Sequence, residues 1–505
     1  MSELDRRTFI ASAAAGAALL ALPRSLRAAA AADRKPVYAM VDRQAGEALA
    51  RLQEWIRQPS INATGQGMQE GTELMAKLAR DAGFQQVELL PTTGASVVFG
   101  QLDAGAKRTL GLYFMYDVKH VIESEWSAPP FAAKVVELPA VGKVVMGRGT
   151  VNQKGPQSFF LSALHAIRGA GRKLPVNIVL IAEGEEEDGS PHLPEAVRRP
   201  EVQAALKRCQ GVLTTDMSQN LDGTVDVVLG NKGIVEVELI ADGARWGRGP
   251  TQRDIHSGMK PAVDSVAWHL VQALNTLVVA DGNDPAIDGL ESLVRPLTKR
   301  DKALVADVAK RTNEADLKQE LSVERWARDL SFAETVERWV SRPTVNIQGL
   351  VGGYTGPAGK TIVPHHAEAK LDIRLVPDMT AAKTIELLRA HLAKRGFGDI
   401  EVHDLGSYDP TTTAYESLPV QAELAVYKSY GLDPLVRPRG GGSWPGYLFT
   451  GPPLNLPAIG FGMGYGLGAH SKDEFVVIEP RSPKVSGLTG CVRAFVDFLY
   501  TFAES

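Results

Sequence analysis

Three near-continuous apolar runs, each closed by acidic residues, constrain this chain more than any other feature. Residues 110–116 run into Asp117, residues 176–182 into Glu183, Glu185, Glu186, Glu187 and Asp188, and residues 211–215 into Asp216. Apolar runs without alternation read as strands buried on both faces, as in a parallel sheet covered by helices. Helical stretches at 158–170 and 193–209 separate them, so this part reads as an α/β layered domain. Open α/β sheets build their sites at the carboxyl ends of such strands. One acidic strand end is ordinarily a cap or a solvated turn. Three in one domain, with a histidine loop at Gly468-Ala469-His470-Ser471, favour a divalent metal, because converging carboxylates repel unless a cation neutralises them.

The pattern changes near Gly230. Residues 234–240 alternate as a half-exposed antiparallel strand does, a helix is expected at 265–277, and a charged helical region spans about 304–340. Strands at 344–349 and 367–376 and a helix at 380–395 complete an α+β insert. The first pattern then returns with a helix at 418–430, a strand at 458–462 and a closing helix at 485–502. The fold class is therefore α/β, a mostly parallel-sheet catalytic domain interrupted by an α+β insert. Its expected parts are 33–230 and 413–505 for the catalytic domain and 231–412 for the insert.

A chain of 505 residues is too long for one core, which agrees with two domains. Its net charge of -4 gives no basic footprint, so nucleic acid is not an expected partner. Residues 1–32 read as a leader: Arg6-Arg7 is a twin-arginine pair, an apolar stretch follows to Leu22, and Ala28 to Ala32 form a small-residue run. The apolar stretch is shorter than the roughly 20 residues that span a bilayer, so export to the periplasm or beyond is expected rather than stable membrane insertion. Cys209 and Cys491 make neither a disulfide framework nor a cysteine zinc site and are read as structural.

Seven motifs in one order carry a family resemblance. They are Tyr116-Asp117-Val118; Gly147-Arg148-Gly149 with Lys154-Gly155; Glu183 to Ser190; Asp254-Ile255-His256-Ser257-Gly258; Arg374-Leu375-Val376-Pro377; Gly441-Gly442-Ser443; and Ala469-His470-Ser471. Over nearly its whole length after the leader, the chain resembles the M20 metallopeptidases, in the carnosinase and cytosolic dipeptidase branch. The resemblance implies a zinc-peptidase-like fold with a lid and dimerisation domain, and a homodimer. It implies a hydrolase of amide bonds in dipeptides or N-acyl amino acids that carry a free carboxylate. Glu186 would be the general base acting on metal-bound water. Glu187, Asp216 and His470 would be metal ligands, and Asp117 would orient them. His256 would stabilise the oxyanion, in its own or a partner subunit's site. Arg374 would clamp the substrate carboxylate, with Thr361, Gly442 and Ser443 around the substrate.

Two positions depart from the family pattern. Met115 stands where the family has a histidine ligand, and Asn152 where it has a bridging aspartate. A thioether is a poor zinc ligand, and a neutral amide cannot supply the charge that holds two dications together. One zinc or other divalent ion per subunit, held by Glu187 and His470 with Asp216, is therefore expected rather than two, or none; His120 or His192 could substitute as a ligand, although each reads first as a surface loop histidine. A metal-free hydrolase in which Lys154 shares the electrostatic load, and an inactive carboxylate-binding protein, are the alternatives.

Overall fold

The computed structural model describes residues 24–505, with side chains from residue 34 onward. The twin-arginine pair and the apolar stretch of the leader lie outside the described residues. The chain divides into two compact units. The first runs to Leu229 and takes up Thr412–Arg437 and Leu448–Ser505; the second is Gly230–Thr411 with Pro438–Tyr447.

The first unit is built on a six-stranded sheet in the order Gln86–Leu90, Val97–Leu102, Asn177–Glu183, Thr109–Met115, Val212–Thr215, Ala458–Phe461. The last four strands run parallel, and the first two add an antiparallel edge. The apolar runs are buried as their lack of alternation requires: Leu110, Leu112, Phe114, Ile178, Leu180 and Ala182 are all closed off from solvent. Helix Lys154–Gly169 is buried almost all round. The closing helix Leu488–Glu504 sets Phe495 5.5 Å from Phe160 and stacks Phe498 on Phe461 at 4.7 Å.

Two features of this unit differ from the sequence reading. The single helix expected over 193–209 is two, Leu193–Val197 and Pro200–Leu206, because Pro200 has no N–H for a continuing helix and opens a new one instead. A second, four-stranded antiparallel sheet orders Gly466–Leu467, Phe475–Pro480, Gly142–Met146 and Lys134–Leu138, joining segments more than 300 residues apart that no local pattern links. Cys209 and Cys491 are buried and unpaired.

In the second unit, strand Gly233–Asp242 alternates buried and half-buried along its whole length. It is central in a sheet ordered Thr344–Gly352, His366–Leu375, Gly233–Asp242, Glu401–Tyr408. Val235, Val237 and Leu239 on its inner face pack into one cluster with Leu270 and Leu274 of helix Val266–Asn275 and Leu388 and Leu392 of helix Ala381–Lys394. Pro438–Tyr447, read from sequence as part of the catalytic domain, belongs to this unit. Its Gly440 N–H donates to Gly230 O, which ties the Gly441-Gly442-Ser443 loop to the start of the insert. Among the described residues, no helix is long and apolar enough to cross a membrane.

Candidate active site

Strand Asn177–Glu183 ends in a tight turn that sorts its acidic residues. Gly184 lies flat under the Tyr116 ring, where a Cβ would collide with it. Glu183 is buried and accepts hydrogen bonds from Tyr113 Oη at 2.6 Å and Ser190 Oγ at 2.8 Å; burial pushes its carboxyl up to about 8. Glu185 is buried against His192 Nδ1 at 3.0 Å. These two carboxylates hold the turn together, and His192 is thereby engaged away from the centre. His120 is exposed, and among the described residues neither histidine belongs to a group of three candidate ligands.

Glu186 and Glu187 form the 3-10 turn Glu186–Asp188, and they face different surroundings. Asp117, fully buried just beyond strand Thr109–Met115, accepts the Glu187 N–H on Oδ2 at 2.9 Å. Its Oδ1 has no partner, and burial together with the nearby Glu187 charge lifts its carboxyl to about 8. The Glu187 side chain is only 4% exposed. Three groups converge on it: Asn152 Nδ2 donates to Oε1 at 2.8 Å, His470 Nε2 lies 3.0 Å from Oε2, and Lys119 Nζ stands 3.6 Å from Oε2. Lys119 also hydrogen-bonds the Glu187 carbonyl, and Asn152 Nδ2 lies 3.1 Å from His470 Nε2. Glu186 is half-buried with no hydrogen bond or ion pair on its carboxylate among the described residues. Burial and the neighbouring Glu187, Asp117 and Glu183 hold it well above the usual carboxylate range, with Lys119 opposing that rise.

The loop that presents Asn152 is fixed from far along the chain. Glu474, fully buried, accepts the N–H groups of Gly149, Val151 and Asn152 at 2.8–2.9 Å and pairs with Arg148 Nη1 at 2.7 Å. Gly155 follows because a Cβ there would run into the Thr150 carbonyl. Lys154, the cation expected to share the load, is instead turned away. It is fully buried, donates to Gln58 O at 2.8 Å and to Trp55 O at 3.4 Å, and burial lowers it to about 7. Sequence reasoning missed both Lys119 and Glu474. Lys119 stands two residues past Asp117, just outside the Tyr116-Asp117-Val118 motif. Glu474 had no local signal.

The remaining expected ligands do not join this cluster. Met115 ends its strand 2% exposed, and Asp216 is exposed and accepts the Met217 N–H at 2.7 Å. Among the described residues no three His, Cys, Asp or Glu side chains converge closely enough to hold a metal ion. The donor chemistry agrees: Asn152 presents an amide N–H, not a charged oxygen, to Glu187. The residues present do not fit the metal centre that the resemblance implies.

The other expected site residues lie in the second unit, in two groups. His256, in a short strand paired with Ile362–Val363, accepts the Gly258 N–H on Nδ1 at 3.1 Å and has Nε2 3.4 Å from Thr361 Oγ1. Arg374, at the end of strand His366–Leu375, places Nη1 3.3 Å from Ser443 Oγ and 3.4 Å from Gly441 O, with Gly442 between them. Ser443 Oγ donates to Lys232 O at 2.7 Å. Lys232 is buried, and burial with the nearby Arg374 and Arg439 charges brings its ammonium down to about 8. Three cations gathered in one place, with Asp372 3.4 Å from Arg374 Nε, make a region of positive potential suited to a carboxylate.

Known proteins of this kind share both sequence and fold with the chain. The Peptidase family M20/M25/M40 profile matches residues 111–499, well over half of the 505. The "Cys-Gly metallodipeptidase DUG1" of Saccharomyces cerevisiae is 28% identical over 79% of this chain and 80% of its own length. The "Beta-Ala-His dipeptidase" of Rattus norvegicus is 25% identical over 79% and 82%. The crystal structure of the M20 family metallo-carboxypeptidase Sso-CP2 from Sulfolobus solfataricus superposes with a TM-score of 0.78 at 31% identity, covering 90% of this chain and 99% of that one. The chain belongs to peptidase family M20/M25/M40.

Proposed function

We propose that the chain hydrolyses the amide bond of a dipeptide or N-acyl amino acid carrying a free carboxylate, with Glu186 as the general base. One observation carries this reading. Of the glutamates on the turn after strand Asn177–Glu183, Glu183, Glu185 and Glu187 are buried and engaged, whereas the Glu186 carboxylate is partly open and without a partner. A base must have such a free lone pair to take the proton of water as the water oxygen attacks the carbonyl carbon. The same proton then passes to the departing amine. The Arg374, Lys232 and Arg439 cluster of the second unit supports a carboxylate on the substrate. The relatives' names support small substrates of the Cys-Gly and β-Ala-His kind.

Glu186→Gln should keep the fold and lower kcat by about 10²–10⁴ on a panel of dipeptides and acylated amino acids. Hydrolysis at an unchanged rate in that variant would remove Glu186 from the mechanism. Arg374→Lys should raise KM more than it lowers kcat, because a point charge replaces a planar fork.

The Arg6-Arg7 leader supports export by the twin-arginine route, and Arg6→Lys with Arg7→Lys should retain the protein in the cytoplasm. Strand Thr344–Gly352 is a sheet edge whose Ile347, Leu350 and Val351 are exposed, which supports a homodimer; sedimentation velocity tests it.

A further inference from the structure

The positions that differ from a metal centre differ together. Asn152 brings an amide N–H where charge would bridge two ions, and Met115 brings an apolar thioether. Lys119 adds an ammonium against the one carboxylate that remains central, Glu187. Each change lowers the attraction of the centre for a dication, and the lysine repels one directly at short range. The changes also satisfy one another. Glu187, nearly closed off from solvent, has both oxygens occupied, Oε1 by the Asn152 amide and Oε2 by His470 and Lys119. A buried carboxylate needs such partners, and in their absence it would need a metal. Lys119 reaches the same turn from the loop after Asp117, so its charge acts on Glu186 as well as Glu187.

We propose that Lys119 is the resident cation of this centre: its ammonium takes the place against Glu187 that a divalent ion would take, and the protein works without a tightly bound metal. Lys119 is a positioning residue, fixing Glu187 and through it Asn152 and His470. The role assigned to it in hydrolysis rests on the Glu186 reading above; its exclusion of metal does not.

The test is metal content and metal affinity of the full-length protein, purified without chelator from zinc-supplemented medium. Elemental analysis of the wild type should find substoichiometric zinc, manganese and cobalt. One tightly bound ion per chain would overturn the proposal. Two variants, checked for folding by circular dichroism, are then titrated with Co²⁺ and read by its absorption. Met115→His with Asn152→Asp restores ligands but keeps the lysine; adding Lys119→Gln removes it. The triple variant should bind Co²⁺ about 100-fold more tightly than the double, since unlike the double it places no ammonium beside the dication. Equal affinities would overturn the role of Lys119. Should neither variant fold, the wild-type metal content decides alone. Excess EDTA should leave any wild-type hydrolysis unchanged, and its loss would overturn the proposal. A wild type that is metal-free and hydrolyses nothing would refute the Glu186 reading while leaving metal exclusion standing.

Discussion

Glu474 and Glu423 are both fully buried carboxylates of the first unit, and they could hardly be more differently furnished. Glu474 receives three backbone N–H groups and the Arg148 guanidinium. Glu423, on helix Leu418–Ser429, has neither oxygen hydrogen-bonded. Burial raises both; the donors around Glu474 pull it back, whereas Asp216 near Glu423 pushes that carboxyl still higher. Burial alone therefore tells nothing of purpose. Glu474 organises the loop that carries Asn152, while Glu423 sits without a donor on a helix packed on the core.

The largest way to break this contrast is Glu474→Ala. It strands Arg148, itself 4% exposed, and should cost about 3–5 kcal/mol in urea unfolding. An unchanged midpoint would mean that the loop is held by something else. Arg148→Met should cost less, about 1.5–3 kcal/mol, because Glu474 keeps its three N–H donors. Glu423→Leu should act with the opposite sign, stabilising by about 1–2 kcal/mol at pH 7 by removing an unsatisfied polar group. The smallest effect sharpens the last one. A carboxyl whose folded pKa is raised contributes most below its unfolded pKa of about 4.3 and loses that contribution as pH rises through the folded value. The advantage of Glu423→Leu should therefore shrink towards pH 4 and grow towards pH 8; a pH-independent advantage would mean that Glu423 is ionised in the folded protein.

The same contrast explains what could be read in advance. The parallel strands were legible because residues 110–116, 176–182 and 211–215 are apolar on both faces, a signal local to each run. The acidic strand end was legible as a whole, yet its sorting was not: which glutamate is free depends on Tyr113, Ser190 and His192, side chains brought in by folding. Glu474 gave no signal because its partners lie 322 to 326 residues earlier. Lys119 carries no signal of its own, because a loop lysine is ordinarily a solvated charge and only the fold aims it at Glu187. Lys154, which does stand in a motif, is a buried strut between the Trp55 and Gln58 carbonyls.

The wiring of Glu474 also sets a schedule. A ribosome delivers the segment 147–152 long before residue 474, and His470 belongs to the same late stretch. Until almost the whole polypeptide has emerged, Arg148 has no counter-charge and Asn152 no fixed place. Any chain truncated ahead of Glu474 would thus be not a slower enzyme but an unfinished one, its Asn152 loop without the carboxylate that anchors it.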